Sequence, residues 1–218
     1  MPDASKNLRP HWEDPLRIFP WILTKLNTLW VSSTYPLASV GRDLSIHHTC
    51  ILNRAKAPQI KLGSSLILKK DVWLNVIREA TGEPKIIIDD NCRIGARSII
   101  SAKNYIHLER NVTLDSSVLI MDHSHDYQDI TRPIRQQPAS LGGRVRIGPG
   151  CWIGHAAAIV CTRGELVLGP NCVVIPNSLV TASAPANSVI SGNPARIIEK
   201  LEQIKAVPGA TVEALAGR

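Results

Sequence analysis

Six aliphatic residues stand six positions apart in this chain: Ile88, Ile94, Ile100, Ile106, Val112 and Val118. An amphipathic helix repeats its apolar face about every 3.6 residues and a flat strand every second one, so this spacing belongs to neither and predicts a coiled solenoid. Val40, Ile46 and Leu52 keep the frame, as do Leu62, Leu68 and Leu74, then Ile147, Ile153 and Ile159, and finally Leu168, Val174 and Val180. The predicted all-β solenoid therefore runs over 39–185, preceded by a helical cap over 1–38 and followed by an exit segment and C-terminal helix over 186–218.

Glycine often follows the in-frame aliphatic, as at Gly41, Gly63, Gly95, Gly148, Gly154 and Gly169, where a corner would use its backbone freedom. Small residues recur four positions after it, at Cys50, Cys92, Ser98, Ser116, Cys151, Ala157, Cys172 and Ser178, which suits a tight prism with little room at the second inward site. Three breaks interrupt the frame. Asn53 to Ile60 and Val76 to Lys85 read as surface excursions marked by Pro58, Gly82 and Pro84. The third, over 121–144, carries His123, His125 and the Gly142-Gly143 pair and is long enough to be functional.

At the N-terminal end Leu16, Phe19, Leu23, Leu26 and Trp30 fall at helical spacing, with Trp12 and Trp21 close by. They predict a helix that packs its apolar stripe on the first coil and so blocks edge pairing; the alternative is an interfacial helix meeting a lipid-linked glycan.

Composition fits a β-solenoid, which needs aliphatics more than rings: 44% of residues are hydrophobic and only one is phenylalanine. Five cysteines, mostly at inward positions, argue against a disulfide framework and for a reducing compartment. No cleavable signal is legible, and Arg17, Pro20 and Lys25 interrupt the one apolar stretch that could be taken for a span, so the expected location is cytoplasmic, with at most peripheral contact at the inner face of the membrane. The formal charge of +7 is spread without a dense basic run, which disfavours nucleic acid and fits an anionic small molecule.

The repeat, the stretch Ile147-Gly148-Pro149-Gly150-Cys151-Trp152-Ile153-Gly154-His155-Ala156-Ala157-Ala158-Ile159 and the exit Ser191-Gly192-Asn193-Pro194-Ala195-Arg196 resemble the hexapeptide-repeat acyltransferases, above all the maltose- and nodulation-type O-acetyltransferases and their polysaccharide-modifying relatives. The resemblance covers about residues 40 to 201. It implies a left-handed parallel β-helix with three flat faces, and acyl transfer from acetyl-CoA, as cosubstrate, to a hydroxyl. It also implies a homotrimer with active sites between subunits, a sugar or glycan-precursor acceptor, and no requirement for a metal.

By this resemblance the loop histidine takes the acceptor proton. Chemistry asks for such a group, because a sugar hydroxyl is scarcely ionised at neutral pH whereas imidazole accepts a proton there. His123 is the first choice and His125 the alternative, with Asp122 or Asp126 as the carboxylate that fixes the ring. The pantetheine arm would lie along backbone at Gly154, Ala156 and Ala158, with Trp152 lining the groove. Arg196, with Arg163 or Lys200, would meet the coenzyme's phosphates. No asparagine occupies Ile94–Ser101, so Arg97, Ser98 or a backbone amide would stabilise the oxyanion. His107 and His155 read as surface or interface histidines.

Three other readings stay open. N-acetylation of an amino sugar or xenobiotic would use a similar base and groove. A zinc hydratase related to the γ-type carbonic anhydrases needs three histidine ligands and could draw two from His123 and His125, but the i, i+5 histidine pair typical of that family is absent. An idle scaffold would keep the solenoid alone.

Overall fold

The computed structural model describes residues 15–77 and 84–202; Trp12, the Gly82 excursion and the last sixteen positions lie outside them. The repeat becomes six successive coils of short strands, joined corner to corner. The first three coils are β1 (Ser39–Val40), β2 (Ser45–Ile46), β3 (Ile51–Leu52), then β4 (Ile60–Leu62), β5 (Ile67–Leu68), β6 (Trp73–Val76), then β7 (Ile86–Ile88), β8 (Arg93–Ile94), β9 (Ile99–Ala102). The next three are β10 (Tyr105–Leu108), β11 (Thr113–Leu114), β12 (Leu119–Met121), then β13 (Arg144–Ile147), β14 (Trp152–Ile153), β15 (Ala158–Val160), then β16 (Glu165–Leu168), β17 (Val173–Val174), β18 (Leu179–Val180). Every third strand pairs in parallel, which makes three sheets around one axis: a left-handed β-helix, as expected.

Register shows where the sixfold frame is genuine and where it is a coincidence. Leu62 pairs with Ile88 and Ile88 with Leu108, so the fourth coil continues the frame through Leu108, Leu114 and Ile120. Ile106, Val112 and Val118 instead occupy the other inward position, above Ile86, Cys92 and Ser98. Both rows are buried, and alternation of period two brings both inward on each face. Two residues, Lys103 and Asn104, lie between β9 and β10 and shift one row onto the spacing of the other. The axis is filled by Leu, Ile and Val at 0–2% exposure, each contributing about 1.5–3 kcal/mol of burial.

The second inward position is small where expected, with Cys92, Ser98, Cys151, Ala157, Cys172 and Ser178 all buried. Ser116 breaks that expectation, because in the corrected register it lies at a corner. The corner glycines also serve a different purpose from the one predicted. Left-handed backbone falls on residues such as Asp71, Asn91, Arg97, Asn111 and Asn171. A Cβ on Gly95 would instead lie 2.2 Å from the carbonyl carbon of Asp115, one coil on, so glycine permits the close approach of stacked corners.

Helix α1 (Pro15–Thr34) lies against β2, where Asn27 and Thr28 hydrogen-bond to the backbone of Ile46. The expected cap exists, but the expected stripe does not face the coil: Phe19, Leu23, Leu26 and Trp30 are exposed. At the other end β19 (Ser188–Gly192) joins the β17 edge in parallel, and β20 (Ala195–Lys200) folds back on it antiparallel. The exit segment to Lys200 is thus a hairpin where a helix was expected, because it continues the ladder of the β17 edge; 203–218 lie outside the described residues.

Candidate active site

The long loop leaves the end of β12 and returns at β13, and its neck is closed by the Gly143 amide donating to the Asp122 carbonyl at 2.6 Å. Its two legs are stitched by amide-to-carbonyl bonds from Asp126 to Pro138 and from Ser140 to Ser124, and the tip is held by Gln137, which donates to the carbonyls of Asp129 and Arg132. The Lys103 ammonium donates to the carbonyls of Ala139 and Ser140, and the Asn104 amide to those of Leu141 and Gly143. The two extra residues before β10 are therefore the loop's anchor.

They do a second job. Asp122 is fully buried, and its carboxylate accepts the amides of Lys103, Asn104 and Tyr105, each at 2.7 Å. Its fourth partner is His123, whose Nδ1 lies 2.9 Å from Asp122 Oδ1. Burial pushes the Asp122 carboxyl up, but the His123 bond and the three amides together outweigh it and hold the group below its ordinary value. An ionised Asp122 fixes Nδ1 as the donor, which makes Nε2 the ring's basic atom. Here His123 is 5% exposed.

His125 is exposed, and its loop cavity of about 640 Å³ also includes Asp126, Tyr127, Gln137 and Arg163. The Asp126 amide closes the loop, and the carboxylate on the first-choice histidine is Asp122. The cofactor set predicted from the sequence is spread over three places. Gly154, Ala156 and Ala158 follow one another around the corner from β14 to β15, beside half-buried Trp152; Arg163 lies past the far end of β15, at the loop; Arg196 is on β20, where it donates to the Ala195 carbonyl at 2.8 Å. Ser98 cannot be an oxyanion donor, since its buried hydroxyl already bonds the Asp115 carbonyl and the Val118 amide. Arg97 is exposed at a corner.

The spacing missed other groups. Asn75 donates to Ser101 Oγ at 2.8 Å on the outer face of the third sheet, and Ser101 is level with Met121, the residue before Asp122. Neither lies on the apolar frame, so only the strand register brings them to the loop. Lys85 and Lys103 are buried, Lys85 donates to the Lys103 carbonyl at 2.5 Å, and both border a cleft of about 500 Å³ with Arg144. The Arg144 guanidinium sits 4.0 Å over the Tyr105 ring, whose hydroxyl meets His107; His107 also bonds Asp89 at 2.9 Å. His155 is taken up by Ser116 at 2.8 Å. Among the described residues, no group of three or more His, Cys, Asp or Glu converges to hold a metal ion.

No known protein-family profile matches the chain. It is 30% identical over 196 residues to an acetyltransferase of Mycobacterium tuberculosis, which covers 83% of this chain and 58% of that one. It is 29% identical over 128 residues to WbbJ of Escherichia coli, named as a lipopolysaccharide-biosynthesis O-acetyl transferase, covering 56% and 64%. The chain thus spans less than two thirds of either relative. Among solved structures it superposes on the Bacillus cereus N-acyltransferase AntD, in complex with dTDP and 3-hydroxybutyryl-CoA, with a TM-score of 0.64 over 82% of this chain and 87% of that one at 18% identity, a likeness of fold. In its repeat, its three-sided coil and these relatives the chain is similar to the hexapeptide-repeat acyltransferases.

Proposed function

We propose that the protein transfers an acetyl group from acetyl-CoA to a hydroxyl of a sugar, in a cell-surface glycan or its precursor, with His123 as general base and Asp122 as its positioning residue. The observation that carries this reading is the Asp122–His123 pair, a buried carboxylate saturated by three amides and one imidazole. The named O-acetylation role of WbbJ supports the acceptor class.

His123 Nε2 takes the hydroxyl proton as the acceptor oxygen attacks the thioester carbon. The C–O bond forms, the C–S bond breaks, and the imidazolium returns the proton to the departing thiolate, so the ring ends as it began. Asp122 stabilises the imidazolium between these events without taking its proton. Transfer is direct, with no acyl-enzyme. The oxyanion would be met by a backbone amide or by Asn75, two coils away on the same sheet as β12. The groove at Gly154, Ala156 and Ala158, the cations Arg163 and Arg196, and assembly as a homotrimer with sites between copies complete the reading, in the cytoplasm.

Thiol release from acetyl-CoA in the presence of nucleotide-linked and lipid-linked sugars, with product mass and linkage, tests it. His123→Ala should lower kcat by about 10² to 10⁴ while His125→Ala stays within a few-fold of wild type. Equal losses, or full turnover in a well-folded His123→Ala, would remove the base assignment, and an amide-linked product would convert the reading to N-acetylation.

A further inference from the structure

Helix α1 is amphipathic the wrong way round for a cap. Pro20, Thr24, Asn27, Thr28 and Val31 form its inner face, and the contacts with β2 are made through the polar Asn27 and Thr28. The opposite face carries Phe19, Ile22, Leu23, Leu26, Leu29 and Trp30, at the i, i+3, i+4 spacing of one stripe. Phe19 is 65% exposed, Leu26 60% and Trp30 63%. An apolar stripe of this length on a monomer's surface calls for a partner.

Charge indicates which partner. The helix sequence contains Arg17 and Lys25 and no acidic residue. Beside it, between Thr24 and the second sheet, lies a cleft of about 400 Å³ bordered by His47 and the exposed Lys69 and Lys70. A helix lying in a bilayer interface sinks its apolar face about 5–10 Å, so groups along its flank come to headgroup depth, and basic residues there meet anionic phosphates. Tryptophan suits the same layer, with Trp30 in the stripe and Trp21 beside it exposed.

We infer that the outward face of α1 docks the protein on an anionic phospholipid surface, with the stripe at the acyl boundary and the Lys69–Lys70 cleft on headgroup phosphates. No helix among the described residues is long and apolar enough to cross a membrane, so this is adsorption on one leaflet. The inference stands apart from the acyl-transfer reading, since its test reads partitioning and not turnover.

Full-length protein is sedimented with vesicles of phosphatidylcholine alone and with about 30% phosphatidylglycerol added. Binding to the anionic vesicles with a blue shift of tryptophan emission is expected. Leu26→Ser combined with Trp30→Ser should weaken it by about 100-fold, from the lost apolar burial alone. Lys69→Ser with Lys70→Ser should weaken only the anionic-vesicle binding, by about 30-fold, and flatten its salt dependence. Circular dichroism checks that both variants fold, as exposed positions allow. No binding to anionic vesicles, or equal binding by the stripe variant, overturns the inference. So does light scattering in which the wild type is a larger assembly than the stripe variant, because the stripe would then be covered by a second copy.

Discussion

Asp122 shows how a residue's surroundings fix both its charge and its neighbour's role. Four hydrogen bonds to one fully buried carboxylate are only favourable while it is ionised, and their sum holds its pKa below the ordinary 3.8. A carboxylate with a lowered folded-state value stabilises the fold fully above the unfolded value, and this contribution fades as pH falls through the folded one. Asp122→Asn should therefore cost about 2–3 kcal/mol in urea unfolding at pH 7, as a buried charged acceptor lost to its donors. The gap to wild type should shrink as pH drops below 3.8. A gap that stays constant with pH would mean that the carboxyl titrates alike in the native and unfolded chain, so that the four bonds do not favour its ionised form. Burial also acts on the thiols, pushing Cys50 up to about 11 and Cys92 to about 12. Neither should react with iodoacetamide in native protein at pH 8, whereas both should in urea; mass mapping of the adducts distinguishes the states.

At the scale of the element, the loop is rigid at its neck because Lys103 and Asn104 reach into it from the preceding coil. Lys103→Met keeps the apolar stem and removes the ammonium that holds the Ala139 and Ser140 carbonyls. Trypsin should then cut after the exposed Arg135 about tenfold faster, since one lost charged hydrogen bond of about 1.5 kcal/mol is enough for that. The thermal midpoint of the coils should move by only a few degrees, and an unchanged cleavage rate would show that the ammonium is not the tether. Lys103 and Asn104 also mark the limit of what the spacing made legible. The coils, the loop and its histidines follow from inward aliphatics and from the point where they stop. Because Ile106, Val112 and Val118 are themselves inward, the six-residue count runs straight over the two-residue insertion, and the amides around Asp122 stay hidden. Asn75 and Ser101 are hidden for a related reason: they face outward, and contact across coils depends on register, which a period alone does not give. The polar inner face of α1 was equally illegible, because an apolar stripe in a sequence says that something will cover it, not what.

The whole molecule is a stack in which each coil touches only the next, so its sites must be assembled along a wall or between walls. Within one chain, Ala158 is level with Leu119, and His123 follows four residues later, two beyond the end of β12 and at most about 13 Å further along the wall. The proposed arm groove and the proposed base thus start well apart in a single copy. A trimer with cyclic symmetry would instead set the groove of one wall against the loop of the next. Ala158 faces outward on β15, so Ala158→Glu should block the arm without disturbing the core, and His123→Ala should remove the base; each protein alone should be nearly inactive. Mixed under mild denaturant and reassembled one to one, they should recover about a quarter of wild-type turnover, because a cyclic trimer pairs an intact loop with an intact neighbouring groove in that fraction of its contacts. If base and groove belonged to one chain, every site would carry a defect and mixing would recover nothing.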